Sequence, residues 1–143
     1  MATRSAIGIE KDGKVFAAYC HWDGYPENNG RILQEHYRNP EKTLKLISLG
    51  DMSSLAEEFE PAPGIEHSFQ KPAKGVTVYY GRDRNEEGVE FRVFEDRDKM
   101  VKFYDDCDYF YVWSNNHWIY RGRRGGWAEL KEALDQIDAE AAQ

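Results

Sequence analysis

Apolar positions recur every second residue at the start of the chain. Residues 5–10 set Ile7 and Ile9 among small or polar neighbours, the period of a half-buried strand. Asp12-Gly13 follows, a pair suited to a tight hairpin turn because both central residues of such a turn need φ > 0. Residues 15–22 form the returning strand, with Phe16, Ala18, Cys20 and Trp22 on one face and Val15, Ala17, Tyr19 and His21 on the other. The period then lengthens. After a turn at Asp23-Gly24-Tyr25-Pro26, Ile32, Leu33, His36 and Tyr37 predict a helix over about 30–38. Asn39 reads as the N-cap of a second short helix, with Pro40 in its first turn and Gly50 just past its end. The two helices are expected to form an αα-hairpin on the sheet.

Residues 52–74 break the periodicity. They hold Pro61, Pro63 and Pro72 beside Glu57, Glu58 and Glu60, and from about residue 56 to 74 read as one long Pro/Glu-rich loop. Residues 76–80 and 89–94 alternate again and are expected to pair with each other. A short helix over 96–104 should turn Met100, Phe103 and Tyr104 inward, and residues 109–113 and 118–120 flank a turn at 114–117. A closing helix from Trp127 to about Ala139 carries Leu130, Ala133, Leu134 and Ile137 on one stripe. The expected fold is a single α+β domain over 1–143, an antiparallel sheet of about six strands with about four short helices.

Composition narrows the function classes. A chain of 143 residues fits one domain. With hydrophobic residues at 41% and aromatics at 14%, its core must be built from few, large side chains. Twenty-six acidic residues against nineteen basic ones give a net charge of −7, which argues against a duplex nucleic-acid binder. The N-terminus lacks an apolar leader core and no run is long and apolar enough to span a membrane, so a cytoplasmic protein is expected. Two distant cysteines, Cys20 and Cys107, suggest no disulfide framework.

Thr3-Arg4-Ser5, Ile7, Ile9 and Tyr19-Cys20-His21-Trp22-Asp23-Gly24-Tyr25 form a pattern. It continues with Asn29-Gly30, Leu33, His36-Tyr37, Leu49-Gly50-Asp51, Ser53-Ser54-Leu55 and Val76-Thr77-Val78, then Tyr80 and Gly81-Arg82-Asp83-Arg84. This resembles a family of short tailed-bacteriophage proteins over residues 3–55 and 76–87, fading in the C-terminal third. The resemblance implies a phage origin, hence a role in host takeover or counter-defence inside the host bacterial cytoplasm. It carries over no catalytic residues. Some phage counter-defence proteins of similar size sequester cyclic nucleotide or cyclic ADP-ribose signals, although no motif links this chain to them.

Candidate chemistry is sparse. No phosphate-cradling G-x-x-x-x-G-K-[ST], H-E-x-x-H or G-x-S-x-G motif occurs, so neither an enzyme nor a cofactor is expected. Cys20, His21, His36 and Cys107 fit no metal-ligand spacing, and neighbours on a strand point to opposite faces. His21, Trp22, Asp23 and Tyr25 form the densest polar–aromatic cluster. It is either a ligand grip with a stacking ring, or a turn with Trp22 as core anchor.

Arg121, Arg123 and Arg124 lie on a Gly-rich stretch before the last helix, and Arg82 and Arg84 lie beside Tyr79 and Tyr80. These five arginines could hold phosphates while the tyrosines stack on a base. Alternatively, they pair with the chain's own carboxylates. Residues 109–113 are apolar on both faces, which calls either for helices on both sides or for a second copy, and a homo-oligomer is expected. The leading expectation is a non-enzymatic sponge for a small anionic, nucleotide-like ligand. The alternative is an inhibitor of a host protein acting through the acidic loop 57–66.

Overall fold

Two hairpins, far apart in sequence, meet side by side in the middle of one sheet. The computed structural model describes residues 2–143. Strands β1 (Ser5–Lys11) and β2 (Lys14–Cys20) form the first hairpin, paired from Lys11–Lys14 to Ser5–Cys20. Asp12 and Gly13 have φ of 54° and 76°, as the Asp-Gly turn requires. Strands β6 (Tyr109–Ser114) and β7 (His117–Gly122) form the second, around Asn115 and Asn116 at φ 52° and 65°. β1 and β6 run parallel, Ser5 beside Tyr109 and Ile9 beside Trp113.

Three short strands complete one edge. β3 (Met52–Ser54) runs parallel to the end of β2, and β4 (Val78–Tyr79) pairs antiparallel with β3. β5 (Arg92–Phe94) pairs with the beginning of β2, so β3 and β5 share that strand's outer side. β8 (Ala128–Glu129) closes the opposite edge. The sheet is therefore mixed, with eight strands among the described residues in place of six antiparallel ones. The expected pairing of residues 76–80 with 89–94 does not form, because each segment finds a different older strand.

Helices cover both faces. α1 (Arg31–His36), α2 (Pro40–Ser48) and α5 (Leu130–Ala141) pack Leu33, Leu46, Ile47, Leu130 and Leu134 against Ile7, Ala18, Tyr111 and Trp118. Asn39 caps α2 by accepting from the Lys42 N–H at 2.7 Å, as its sequence predicts. The helix expected over 30–38 is shorter, because residues Pro26–Gly30 form a π-helical turn before it. On the other face α4 (Arg97–Phe103) buries Met100, with Tyr104 and Cys107 just after it, against Ala6, Val15, Ala17, Phe110 and Val112. Phe103 is half exposed, and Trp127 precedes α5 instead of starting it, packing on this second face.

Both faces of 109–113 are thus covered within one chain, and the strand needs no second copy to bury it. Buried rings are tied to distant backbone: Tyr79 Oη donates to the Leu46 carbonyl, Tyr111 Oη to that of Gly24 and Trp118 Nε1 to that of Tyr37, at 2.6–2.8 Å. Each donor would otherwise be left unpaired in the core. Among the described residues no helix is long and apolar enough to cross a membrane.

Candidate functional site: a pinned acidic loop

The Pro/Glu-rich segment is fastened at both ends. Glu58 bridges Val76, with Glu58 N–H donating to the Gly75 carbonyl at 3.1 Å and Thr77 N–H to that of Glu58 at 2.8 Å. Residues 59–75 therefore close into a compact surface loop. Its incoming arm is held by Lys42 Nζ, which reaches the Glu58 carboxylate at 3.2 Å and the Glu57 carbonyl at 3.0 Å.

The outgoing arm is held by α3 (Tyr80–Arg84), a five-residue helix at the end of β4. Asp83 accepts from the Tyr79 N–H at 2.8 Å and sits 3.1 Å from Nε2 of His67, a pair whose side chains are 4% and 3% exposed. Nδ1 of the same imidazole accepts from the Ala73 N–H at 2.9 Å. Arg82 grips Asp83 through Nε at 2.8 Å, donates to the Thr77 and Phe59 carbonyls, and lies over the Tyr79 ring at 4.7 Å. Burial alone would raise the Asp83 carboxyl, but Arg82, the Tyr79 N–H and His67 together outweigh it and hold it below the ordinary carboxylate range. Arg84 stacks on Phe69 at 4.6 Å and on Tyr80 at 4.8 Å, and pairs with Glu86.

The segment leading up to the tip, residues 57–66, is acidic and the tip itself apolar, while the outgoing arm carries the exposed Lys71 and Lys74. Glu57, Glu58, Glu60 and Glu66 are exposed, and Ile65 is 56% exposed in a turn closed by its N–H on the Ala62 carbonyl at 3.1 Å. A cavity of about 390 Å³ beside it is lined by Glu66, His67, Ser68, Lys71 and Pro72.

Arg82 and Arg84 are thus both engaged by groups of the chain itself, at the base of the loop. Tyr79 is fully buried, so it offers no face to a ligand, while Tyr80 is partly exposed against Phe69. Arg123 also pairs internally, with Asp108 at 3.3 Å and with the carbonyls of Asp105 and Asp106. Arg121 reaches only the backbone carbonyls of Gly122 and Arg123. Among the described residues Arg124 alone of the five has no hydrogen-bond or ion-pair partner. β8 separates all three from α5, which begins at Leu130, so they do not stand at that helix's N-terminus. Five strand steps lie between β4 and β7, roughly 24 Å at the usual spacing. One chain does not bring the two arginine groups into a single site.

The cluster at residues 21–25 is a rigid turn. Asp23 has φ 56°, and Gly24 lies so close to Thr3 and Ser5 that a Cβ there would sit 2.8 Å from Ser5 Cβ. Asn29, fully buried, donates from Nδ2 to Ser5 Oγ at 3.2 Å and to the Trp22 carbonyl at 3.4 Å. Tyr19 Oη lies 2.7 Å from His21 Nδ1, and His21 meets Trp22 edge-on at 4.6 Å. Trp22 is 45% exposed and Tyr25 38%, so Trp22 is not the core anchor its alternation on β2 suggests. That alternation ends when the chain leaves the strand at Cys20.

Cys20 and Cys107 are buried in different clusters on opposite faces of the sheet. Another cavity, about 510 Å³ beneath α2 and the ends of β1 and β6, is lined by Ile9, Leu44 and Trp113 with Glu10, Lys11 and Glu41 at its rim; none of the sequence-predicted site residues borders it. His67 gave no signal in the sequence, since a lone histidine in a Pro-rich segment has no periodicity to place it. Comparison with family models, curated proteins and solved structures finds no match to this chain.

Proposed function

We propose that this chain is a non-enzymatic interaction protein that docks on a basic surface of a partner protein through the incoming half of the loop, residues 57–66. Ile65 is the anchor, and Glu57, Glu60 and Glu66 are the surrounding charges. One observation carries the reading: a large aliphatic side chain is held out in water on a loop whose base is fixed by buried polar pins. Order imposed before binding removes part of the entropy that a flexible loop would lose on docking. The net charge of −7 favours encounter with a basic surface. If the phage resemblance holds, the partner is a host protein. The sponge reading has less support, because Arg82, Arg84 and Arg123 are each engaged by groups of the chain itself.

The test is affinity capture from bacterial lysate followed by calorimetry with the purified partner. Ile65→Ser should weaken binding about thirtyfold, as loss of an interface anchor worth about 2 kcal/mol does. Arg124→Ala should leave it unchanged. Heat released on titration with cyclic nucleotides or cyclic ADP-ribose isomers, abolished by Arg124→Ala, would replace this reading with the anion sponge.

A further inference from the structure

We infer that His67 is an acid-sensitive latch on this loop, setting whether its outgoing arm is closed. The inference rests on the docking reading for its purpose but not for its chemistry. His67 Nε2 faces the Asp83 carboxylate, which can only accept, at 3.1 Å, and the two protons of the neighbouring Arg82 Nη2 go to the Thr77 carbonyl at 2.9 Å and to Asp83 at 3.0 Å, which leaves Nε2 to donate. Nδ1 faces the Ala73 N–H at 2.9 Å, and a backbone N–H can only donate, so Nδ1 carries none. The neutral Nε2–H tautomer is the one form of the ring that satisfies both neighbours. A second proton can go only on Nδ1, where it would point at the Ala73 N–H. Protonation therefore breaks the one contact that ties residue 73 to the buried pin and leaves the contact to Asp83 intact.

The charges around the ring are few. From α3, Asp83 attracts an imidazolium and Arg82, with Nη2 at 3.2 Å from Nε2, repels it. Glu66 and Lys71, of opposite sign, line the cavity beside the ring. β4 contributes only Tyr79, whose ring lies beneath Arg82. A proton on Nδ1 should thus free the Ala73 N–H while the incoming arm stays held by Lys42, Arg82 and Thr77.

Amide hydrogen exchange at pH 7.5 and 5.5, corrected for intrinsic rates, tests this, together with ¹⁵N shifts of the His67 ring. The wild-type chain should show an Nε2–H tautomer at pH 7.5 and lose at least tenfold protection at Ala73 on going to pH 5.5. His67→Gln, whose amide can accept from Ala73 and donate to Asp83 at either pH, should keep the protection at both. His67→Ala should lack it at both. Equal protection of Ala73 at the two pH values in the wild type, or the same loss in His67→Gln, would overturn the latch. These readouts involve no partner, so they stand or fall separately from the docking reading, which the Ile65→Ser affinity decides.

Discussion

The Asp51 carboxylate accepts a hydrogen bond from the backbone N–H of Tyr19 at 3.0 Å, on the stretch of β2 that lies between its pairings with β5 and with β3. A side chain thus substitutes for a strand. Burial pushes the Asp51 carboxyl up to about 6, against the lowering effects of the Tyr19 N–H and Arg92.

That relationship sets a pH dependence. The folded chain holds this proton more tightly than the unfolded chain, whose aspartates titrate near 3.9. The resulting stabilisation is full below about pH 4 and is lost as pH rises through about 6. Asp51→Asn keeps an acceptor for Tyr19 and removes the buried charge. It should equal or exceed the wild type by about 1 kcal/mol at pH 7, a figure reduced for partial solvent exposure, with the difference vanishing by pH 4. Urea unfolding of both proteins at the two pH values checks this. A variant clearly weaker at pH 7 would mean that the charge itself holds Tyr19.

Gly50 follows α2 with φ 92°, and a Cβ there would collide with the Val89 carbonyl oxygen. Gly50→Ala therefore combines left-handed strain with a clash against backbone. A loss of roughly 2–4 kcal/mol is expected, visible as a drop in thermal midpoint. A loss below about 0.5 kcal/mol would show that the segment carrying Val89 is free to move.

The four tryptophans should not behave alike. Trp118 is buried and hydrogen-bonded to Tyr37, so Trp118→Ala should cost about 3–5 kcal/mol. Trp22 sits half out of the protein, and Trp22→Ala should cost about 1 kcal/mol or less. Equal losses in denaturant titrations would contradict the placement of Trp22.

Thiol chemistry offers a fourth measurement. Burial pushes the Cys20 thiol up to about 12 and raises Cys107 as well. Neither should react with iodoacetamide over hours at pH 8, and both should react promptly in concentrated guanidinium. Fast labelling of Cys107 in the native protein would indicate opening of the face under α4.

How much of this was legible depends on how local the cause was. Asp12-Gly13, the Asn39 cap, Gly50 and the 109–122 hairpin were readable because each is decided by neighbours in sequence. The partners of β3, β4 and β5 were not, since strands of two or three residues carry too few alternations to choose among edges. The loop itself was legible from its prolines and glutamates, and with it the acidic stretch 57–66. Its pins were not: Arg82, beside Asp83, reads equally well as a phosphate ligand, and only the arrival of His67 and the Phe59 carbonyl settles what the guanidinium holds. Trp22 was misplaced because a pattern of period two says nothing about where the strand stops.

The parallel contact between β1 and β6 has a consequence for how the chain is made. Arg4 and Asp108, bonded across that junction, are 104 residues apart. At ordinary rates of synthesis, about 5–20 residues per second, the first hairpin waits several seconds or more for the strand that covers its inner side. Until then Ile7 and Ile9 lack Tyr111 and Trp113 as neighbours, and contacts of such long range slow folding generally. The nascent N-terminal half is thus exposed to proteases and chaperones for most of its translation, and a chain cut short before residue 109 lacks the strand that covers the inner edge of β1.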